Sequence, residues 1–459
     1  MSIMMPLRLR FLVLGGGLLL VVAAFLVFGF RKYDHYSVDL GDGGIGSGIG
    51  KSLFFKTPPL SRPHPSPPDQ DHRTCTPPAQ PQTDNNDTWE FIASRDGDNY
   101  GLSDEQCQIA FPKLFVEIDK SVALRAGANK PITWKELNSR KVGDGLVRAI
   151  VDRGELYIVD FGDMPYTFTR AKATLHSLHR ALIAVPNRHE LPSVEFIFST
   201  EDFVVDTDKG PIWAYSKRDE DDAVWLMPDF GFWSWPEVKV GPYRDIRRRI
   251  AAVDDGLAFR DKKKQLLWRG SLATAPELRG NLLANTRGKP WASIRVLDWS
   301  QSDDNDKSNV LPMEEHCRYM FLAHTEGRSF SGRGKYLQNC RSVVIAHQLV
   351  WREAHHAALV SSGPDANYVE VARDFSDLEE KIEYLLDHPF EAERIANNSV
   401  ATFRDRYLTP AAEACYWRYL IRQYASVCAF EPSLYETDFW GRQTMRAVPY
   451  ESWLLMESS

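Results

Sequence analysis

No sign of charge dominates this chain: 55 basic residues stand against 62 acidic ones, a formal net charge of −7. The sequence as a whole therefore gives no electrostatic reason to bind nucleic acid. Cysteine is scarce, with six in 459 residues and none at zinc-ligand spacing, which excludes a disulfide-dense miniprotein and a cysteine-built zinc module. Long apolar runs are missing beyond residue 30, and no internal repeat recurs. With 43% hydrophobic and 12% aromatic residues, the chain has material for two or three ordinary globular cores.

The one long apolar run is Phe11 to Phe30, twenty residues without a charge, flanked by Arg8 and Arg10 before it and Arg31 and Lys32 after it. At about 1.5 Å per residue it is long enough to span a hydrocarbon core of roughly 30 Å. The expectation is a signal anchor over 11–30 behind a cytosolic tail of residues 1–10, rather than a cleaved leader. Residues 31–100 read as a stem, because a glycine-rich run and then nine prolines between 58 and 81 cannot bury enough apolar surface to offset their ordering entropy. A type II orientation puts the body in the lumen of the endoplasmic reticulum or Golgi apparatus. There cysteines oxidise, and the sequons at Asn86 and Asn397 become glycosylation candidates.

Past the stem, helical and strand periods alternate, which argues for α/β layering. An N-terminal domain over 101–255 holds the apolar runs 156–161 and 194–198. A nucleotide-binding domain over 256–428 holds 265–268, 319–322, 342–345 and 368–371, and a tail of 429–459 follows. Thr274 with Glu277, and Ser376 with Glu379, have capping-box spacing, and Thr409 with Pro410 opens a last helix.

Ligands of open α/β sheets bind beyond the carboxyl ends of the strands. Two loops suit that position: Arg269–Ser271 after one strand, and Glu326–Gly334 after another, ending in Arg333. Neither is a Walker A or GxGxxG loop. Two guanidinium forks converging there would bind a diphosphate bidentately. In the first half, Asp163 follows the run 156–161 and suits a general base for a hydroxyl nucleophile, with a plain turn residue as the competing reading. Asp96/Asp98, Asp206/Asp208 and Asp304/Asp306 are Asp-x-Asp triplets. They are frequent by chance in so acidic a chain, and no metal is expected. The aromatic segment Trp225 to Trp235 reads as core, with sugar stacking as the alternative. Cys317 and Cys340 flank a strand that runs out and a helix that runs back, so the two should end close enough for a disulfide.

The series WRGS at 268–271, EGRSFSGRGKYLQNCRSVV at 326–344, NYVEV at 367–371, DFSDL at 374–378 and CYW at 415–417 resembles the capsule-associated-protein type of glycosyltransferase, family 90. The resemblance implies a GT-B architecture, two Rossmann-like domains facing a cleft, and inverting transfer of glucose or xylose from UDP-glucose or UDP-xylose to a hydroxyl of a glycan or protein. No cofactor is implied beyond the donor substrate. Asp163 falls where the family has its Asp-x-Pro base. Arg269 and Ser271 fall on its Arg-Gly-Ser loop, and Arg333 on a second diphosphate-binding arginine. Glu326, a further substrate-binding candidate, stands where many members have Asp, and His347 where many have Lys. A catalytically silent lumenal glycan-binding protein on the same fold is the alternative.

Overall fold

The computed structural model describes residues 89–456 except 165, 186, 239 and 298–309. The expected anchor over 11–30, most of the stem, Asn86, Cys75 and the triplet at Asp304 lie outside the described residues. Among the described residues no helix is long and apolar enough to cross a membrane. Trp89, Phe91 and Tyr100 already pack on the core, so the ordered body begins earlier than a stem ending at residue 100 would allow.

Strands β1 (Leu146–Asp152) and β2 (Glu155–Phe161) are joined by Arg153 and Gly154. Both residues have positive φ, 49° and 79°, the tight hairpin geometry that suits the right-handed twist of the strands. Gly154 has no substitute, since a Cβ there would lie 2.5 Å from the Arg188 carbonyl. Then come β3 (Val194–Ser199), β4 (Ile212–Ala214) and β5 (Val224–Leu226), and a small ribbon of β6 (Ser234–Trp235) and β7 (Val240–Pro242). The first half was expected to be Rossmann-like, but its sheet is mixed. β1 pairs antiparallel with both β2 and β3, and only β3, β4 and β5 run parallel. The cause is the two-residue turn, which joins antiparallel neighbours only.

The second half contains β8 (Lys263–Gly270), β9 (Ala292–Val296), β10 (Tyr319–His324), β11 (Val343–His347) and β12 (Val369–Val371). All pair in parallel, in the order β9-β8-β10-β11-β12. Renumbered within the half this is 2-1-3-4-5, a doubly wound order whose switch point lies between the carboxyl ends of β8 and β10. β10 and β11 are buried along their whole length, as strands covered on both faces must be.

The C-terminal part departs from the expected boundaries. Helix Pro410–Ser426, opened by Thr409 as its sequence implies, packs against the first half. Trp417 donates to Ser177 Oγ (3.1 Å), Tyr416 to the Leu226 carbonyl (3.0 Å), and Arg418 to the carbonyls of Tyr100 and Leu102. Beyond it, hairpin strands β13 (Tyr435–Thr437) and β14 (Gln443–Met445) precede β15 (Val448–Pro449). β15 extends the first sheet beside β2, and Tyr450 and Trp453 are buried. The described part of 429–459 is thus no tail, because Tyr450 and Trp453 supply apolar surface that the first sheet and the helix Phe168–Ile183 cover. Neither expected capping box forms. Helix Pro276–Thr286 starts at its proline, whose fixed φ suits the first helical position, and the Asp377 carboxylate before helix Leu378–Asp387 bonds back to the Ala372 N–H.

Disulfides join Cys317 to Cys340 (Cα–Cα 5.0 Å) and Cys107 to Cys415 (5.7 Å), and Cys428 has no disulfide partner among the described residues. The halves are tied by a buried ion pair, Lys335 Nζ to Asp229 Oδ1 at 2.6 Å, and by antiparallel bridging of Lys217 to Arg352.

Candidate active site

β8 ends in Trp268, Arg269 and Gly270. Gly270 has to be glycine because a Cβ would lie 2.6 Å from the Trp268 ring. Two guanidiniums flank that ring, Arg279 at 5.9 Å and Arg333 at 6.0 Å from its centroid. Arg279, from the first turns of helix Pro276–Thr286, donates to the Ser271 carbonyl at 2.6 Å and the Glu326 carbonyl at 3.1 Å. It thereby bridges the two loops at the switch point. Arg333 donates to the Arg269 carbonyl. Arg269 itself bonds the Trp268 carbonyl (2.8 Å) and Ser293 Oγ (3.2 Å), and its Nε is buried without a partner.

These three arginines have carbonyl and hydroxyl partners, and none has a carboxylate partner among the described residues. Burial lowers the pKa of all three. Arg279 and Arg333 come down to about 10, and Arg333 is further depressed by the neighbouring Arg279 charge. Partly desolvated cations without counter-charge are costly, and an anion entering between them removes that cost.

The other expected residues take different parts. Ser271 Oγ accepts from the Ala273 N–H at 3.2 Å, holding its own loop. Glu326 is buried, and both its carboxylate oxygens are engaged. One accepts from the N–H groups of Val350 and Trp351, each at 2.8 Å, and the other pairs with Arg373 at 3.0 Å. It shapes the loop after β11 from within. Its N–H donates to His347 Nε2 (3.1 Å), so the proton of that neutral ring is on Nδ1, facing the Gln348 carbonyl at 2.8 Å. Burial lowers the His347 pKa.

Asp163 lies just past β2 in the first half. It is exposed, and its carboxylate makes no hydrogen bond or ion pair among the described residues. Gly162 before it allows a backbone approach so close that a Cβ would overlap the Gly143 carbonyl oxygen, at 1.8 Å. The Asp163 carbonyl accepts from Gly145 N–H (3.0 Å), and the Gly145 carbonyl from Thr200 N–H (2.8 Å). Two residues on, the Asp202 carbonyl accepts from Ser329 Oγ of the Arg333 loop. Asp163 thus lies at the same end of the first sheet as Asp202, which meets the arginine loop of the second half.

Trp225, Phe230 and Phe232 are core, whereas Trp233 and Trp235 are half-buried. Trp235 faces Gly332 of the arginine loop, where a Cβ would come within 3.2 Å of its ring. Asn397 is exposed on helix Pro389–Ser399, with Ser399 of its sequon buried. Among the described residues no three His, Cys, Asp or Glu side chains gather to hold a metal. Arg279 was not among the expected site residues, and only its place three residues after Pro276 hinted at a helix start near an anion.

Together these features define an α/β protein with a cluster of three arginines at the switch point of a parallel sheet. Residues 106–438 match the sequence profile of Glycosyl transferase family 90, and the chain belongs to that family. It is 29% identical over 266 residues to the O-glucosyltransferase rumi homolog of Aedes aegypti, covering 54% of this chain and 64% of that protein. It is 25% identical over 238 residues to Protein O-glucosyltransferase 1 of Homo sapiens, covering 48% and 58%. With O-glucosyltransferase rumi of Drosophila melanogaster it shares 24% over 261 residues, covering 52% and 62%. The match spans about six tenths of the length of each of these relatives.

Proposed function

We propose that this protein is an inverting glycosyltransferase of GT-B arrangement. In this reading it carries glucose or xylose from a UDP-sugar to a hydroxyl of a glycan or protein. The observation that carries the proposal is the trio Arg269, Arg279 and Arg333 at the switch point, the first two buried and none with a carboxylate partner among the described residues, the last on a loop that bonds Asp202 at the end of the first sheet. The names of the relatives, all O-glucosyltransferases, favour glucose over xylose, and that of the human relative, Protein O-glucosyltransferase 1, favours a protein acceptor over a glycan.

In this mechanism the Asp163 carboxylate takes the proton from the acceptor hydroxyl, and the oxygen attacks the anomeric carbon from the face opposite the diphosphate. The bond from that carbon to the diphosphate oxygen breaks, and the charge gathering on the departing UDP is met by the guanidiniums. The two disulfides support a body in an oxidising compartment. That fits the reading of 11–30 as a type II anchor in the endoplasmic reticulum or Golgi membrane.

The test is a panel of UDP-sugars offered to the full chain, with UDP release and UDP binding measured. UDP-glucose should be consumed and UDP bound. A chain that binds no UDP and consumes no donor overturns the proposal in favour of a silent glycan-binding protein.

A further inference from the structure

Beside Arg333 a narrow recess opens between the loop after β10 and the loop after β11. Two of its lining side chains are more than nine-tenths buried and lack partners: His324, the last residue of β10, at Nδ1, and Gln338, of helix Gly334–Gln338, at Oε1. Buried polar atoms are almost always satisfied, so two orphaned side chains in the wall of one recess call for a ligand or water. A third group, the Glu353 carboxyl, lines the same recess and makes no hydrogen bond or ion pair among the described residues. The recess shares a wall with the arginine site. The backbone of Gly334, next to Arg333, lies so close to the His324 ring that a Cβ would be 2.7 Å from its Cε1.

Burial favours the uncharged forms of His324 and Glu353, moving their pKa values to about 3 and about 8, and the Glu326 carboxylate in the wall has both oxygens engaged by its own chain. What the recess leaves open are hydrogen-bonding groups, so the occupant is one able both to donate and to accept hydrogen bonds. The recess also lies against the first half: its wall residues Phe330 and Trp351 pack on Tyr215 (6.4 Å) and Phe203 (6.2 Å), respectively. The part of the donor that must meet Asp163 is the ring bearing the anomeric carbon, whereas the nucleoside has no need to approach the first half.

We propose that this recess receives hydroxyl groups of the donor's sugar ring, with His324, Gln338 and Glu353 as their hydrogen-bond partners. The proposal rests on the UDP-sugar reading above and adds where that sugar is recognised. A site built to bond hydroxyls discriminates strongly, because without them its buried polar groups stay unpaired.

The experiment compares binding of UDP and of UDP-glucose to the full chain by calorimetry, for wild type, Glu353→Met, Gln338→Met and Glu353→Gln. The two methionine variants should raise the UDP-glucose Kd by about tenfold while leaving the UDP Kd within about twofold. Glu353→Gln keeps a donor and an acceptor and should restore most of the loss. The melting temperature of each variant checks its fold, and having two methionine variants guards against one that fails to fold. Unchanged binding of both ligands would mean that the recess holds only water. Equal weakening of both would place the nucleoside there, and either result overturns the proposal. If wild type binds no UDP, the proposed function falls first and takes this inference with it.

Discussion

Arg279 holds two loops with one guanidinium, and its geometry determines what a substitution does. Its Nη1 and Nε reach the Ser271 and Glu326 carbonyls in different directions, a fork that a single ammonium does not reproduce. Arg279→Gln should weaken UDP binding by about 1.5–3 kcal/mol, and Arg279→Lys should recover little of it. Calorimetric titration checks both, and a lysine variant with wild-type affinity would show that only the charge matters. Asp163 offers the converse case, since its carboxylate is exposed and touches none of the arginines. Asp163→Asn should therefore lower kcat by ~10²- to 10⁴-fold and leave the UDP Kd unchanged. Near-normal turnover would remove Asp163 from the role of base.

At the scale of elements, the two disulfides do different work. Cys107–Cys415 fastens the helix Pro410–Ser426 to the helix Asp104–Ala110 across a sequence separation of 308, whereas Cys317–Cys340 closes a separation of 23 around the loop that carries Arg333. On the chain-entropy model the longer loop stabilises more, roughly 5 kcal/mol against about 3. Cys107→Ser should thus lower the melting temperature more than Cys340→Ser, but Cys340→Ser should be the variant that weakens UDP binding. A Cys340→Ser protein with wild-type UDP affinity would separate the bridge from the site.

Legibility from sequence also divides by element. Asp163, Arg269 and Arg333 stand out in the sequence as candidates because each adjoins an apolar run or a helix start, and the structure does place them at the ends of β2 and β8 and before helix Gly334–Gln338. Strand β1 was not among the expected strands: Arg148 interrupts its apolar run, and the structure satisfies that charge with Glu195 of the adjacent β3 at 2.6 Å. The role of Arg279 was hidden in a helix whose neighbours are largely polar. The partnership of β15 with β2 joins residues some 290 positions apart, beyond any local pattern. The expected capping boxes failed because Ser376 turns to the Asp374 carboxylate and Glu379 to Lys289, and because the other helix starts at Pro276.

Over the whole molecule, burial of neutral histidines sets how stability depends on pH. Desolvation holds His316 and His356 to about 4 and His324 and His355 to about 3, against an ordinary value of 6.5. Once unfolded, these four rings take up protons below pH 6.5, so between about 4.5 and 6.5 they make stability fall as pH falls. Two carboxyls act in the opposite sense: burial raises Glu353 to about 8 and Glu413 to about 7 from 4.5. The folded chain keeps those protons above pH 4.5 while the unfolded chain loses them, so their contribution declines as pH rises towards 8. Between pH 4.5 and 6.5 these four rings, joined by His176 and His347, which burial also lowers, take up more protons on unfolding than the two carboxyls release. Stability should therefore drop on acidification in that window. Above 6.5 the histidines no longer contribute and the carboxyls alone make stability fall with rising pH, which puts the maximum near pH 6.5. Denaturant unfolding of the full chain from pH 4.5 to 8.5 measures the curve, and the variant His324→Phe, which removes one of these rings, should flatten its acid limb. An acid limb that is flat in the wild type would mean that these rings are hydrated and titrate near their ordinary value, and the recess beside Arg333 would then be open to solvent.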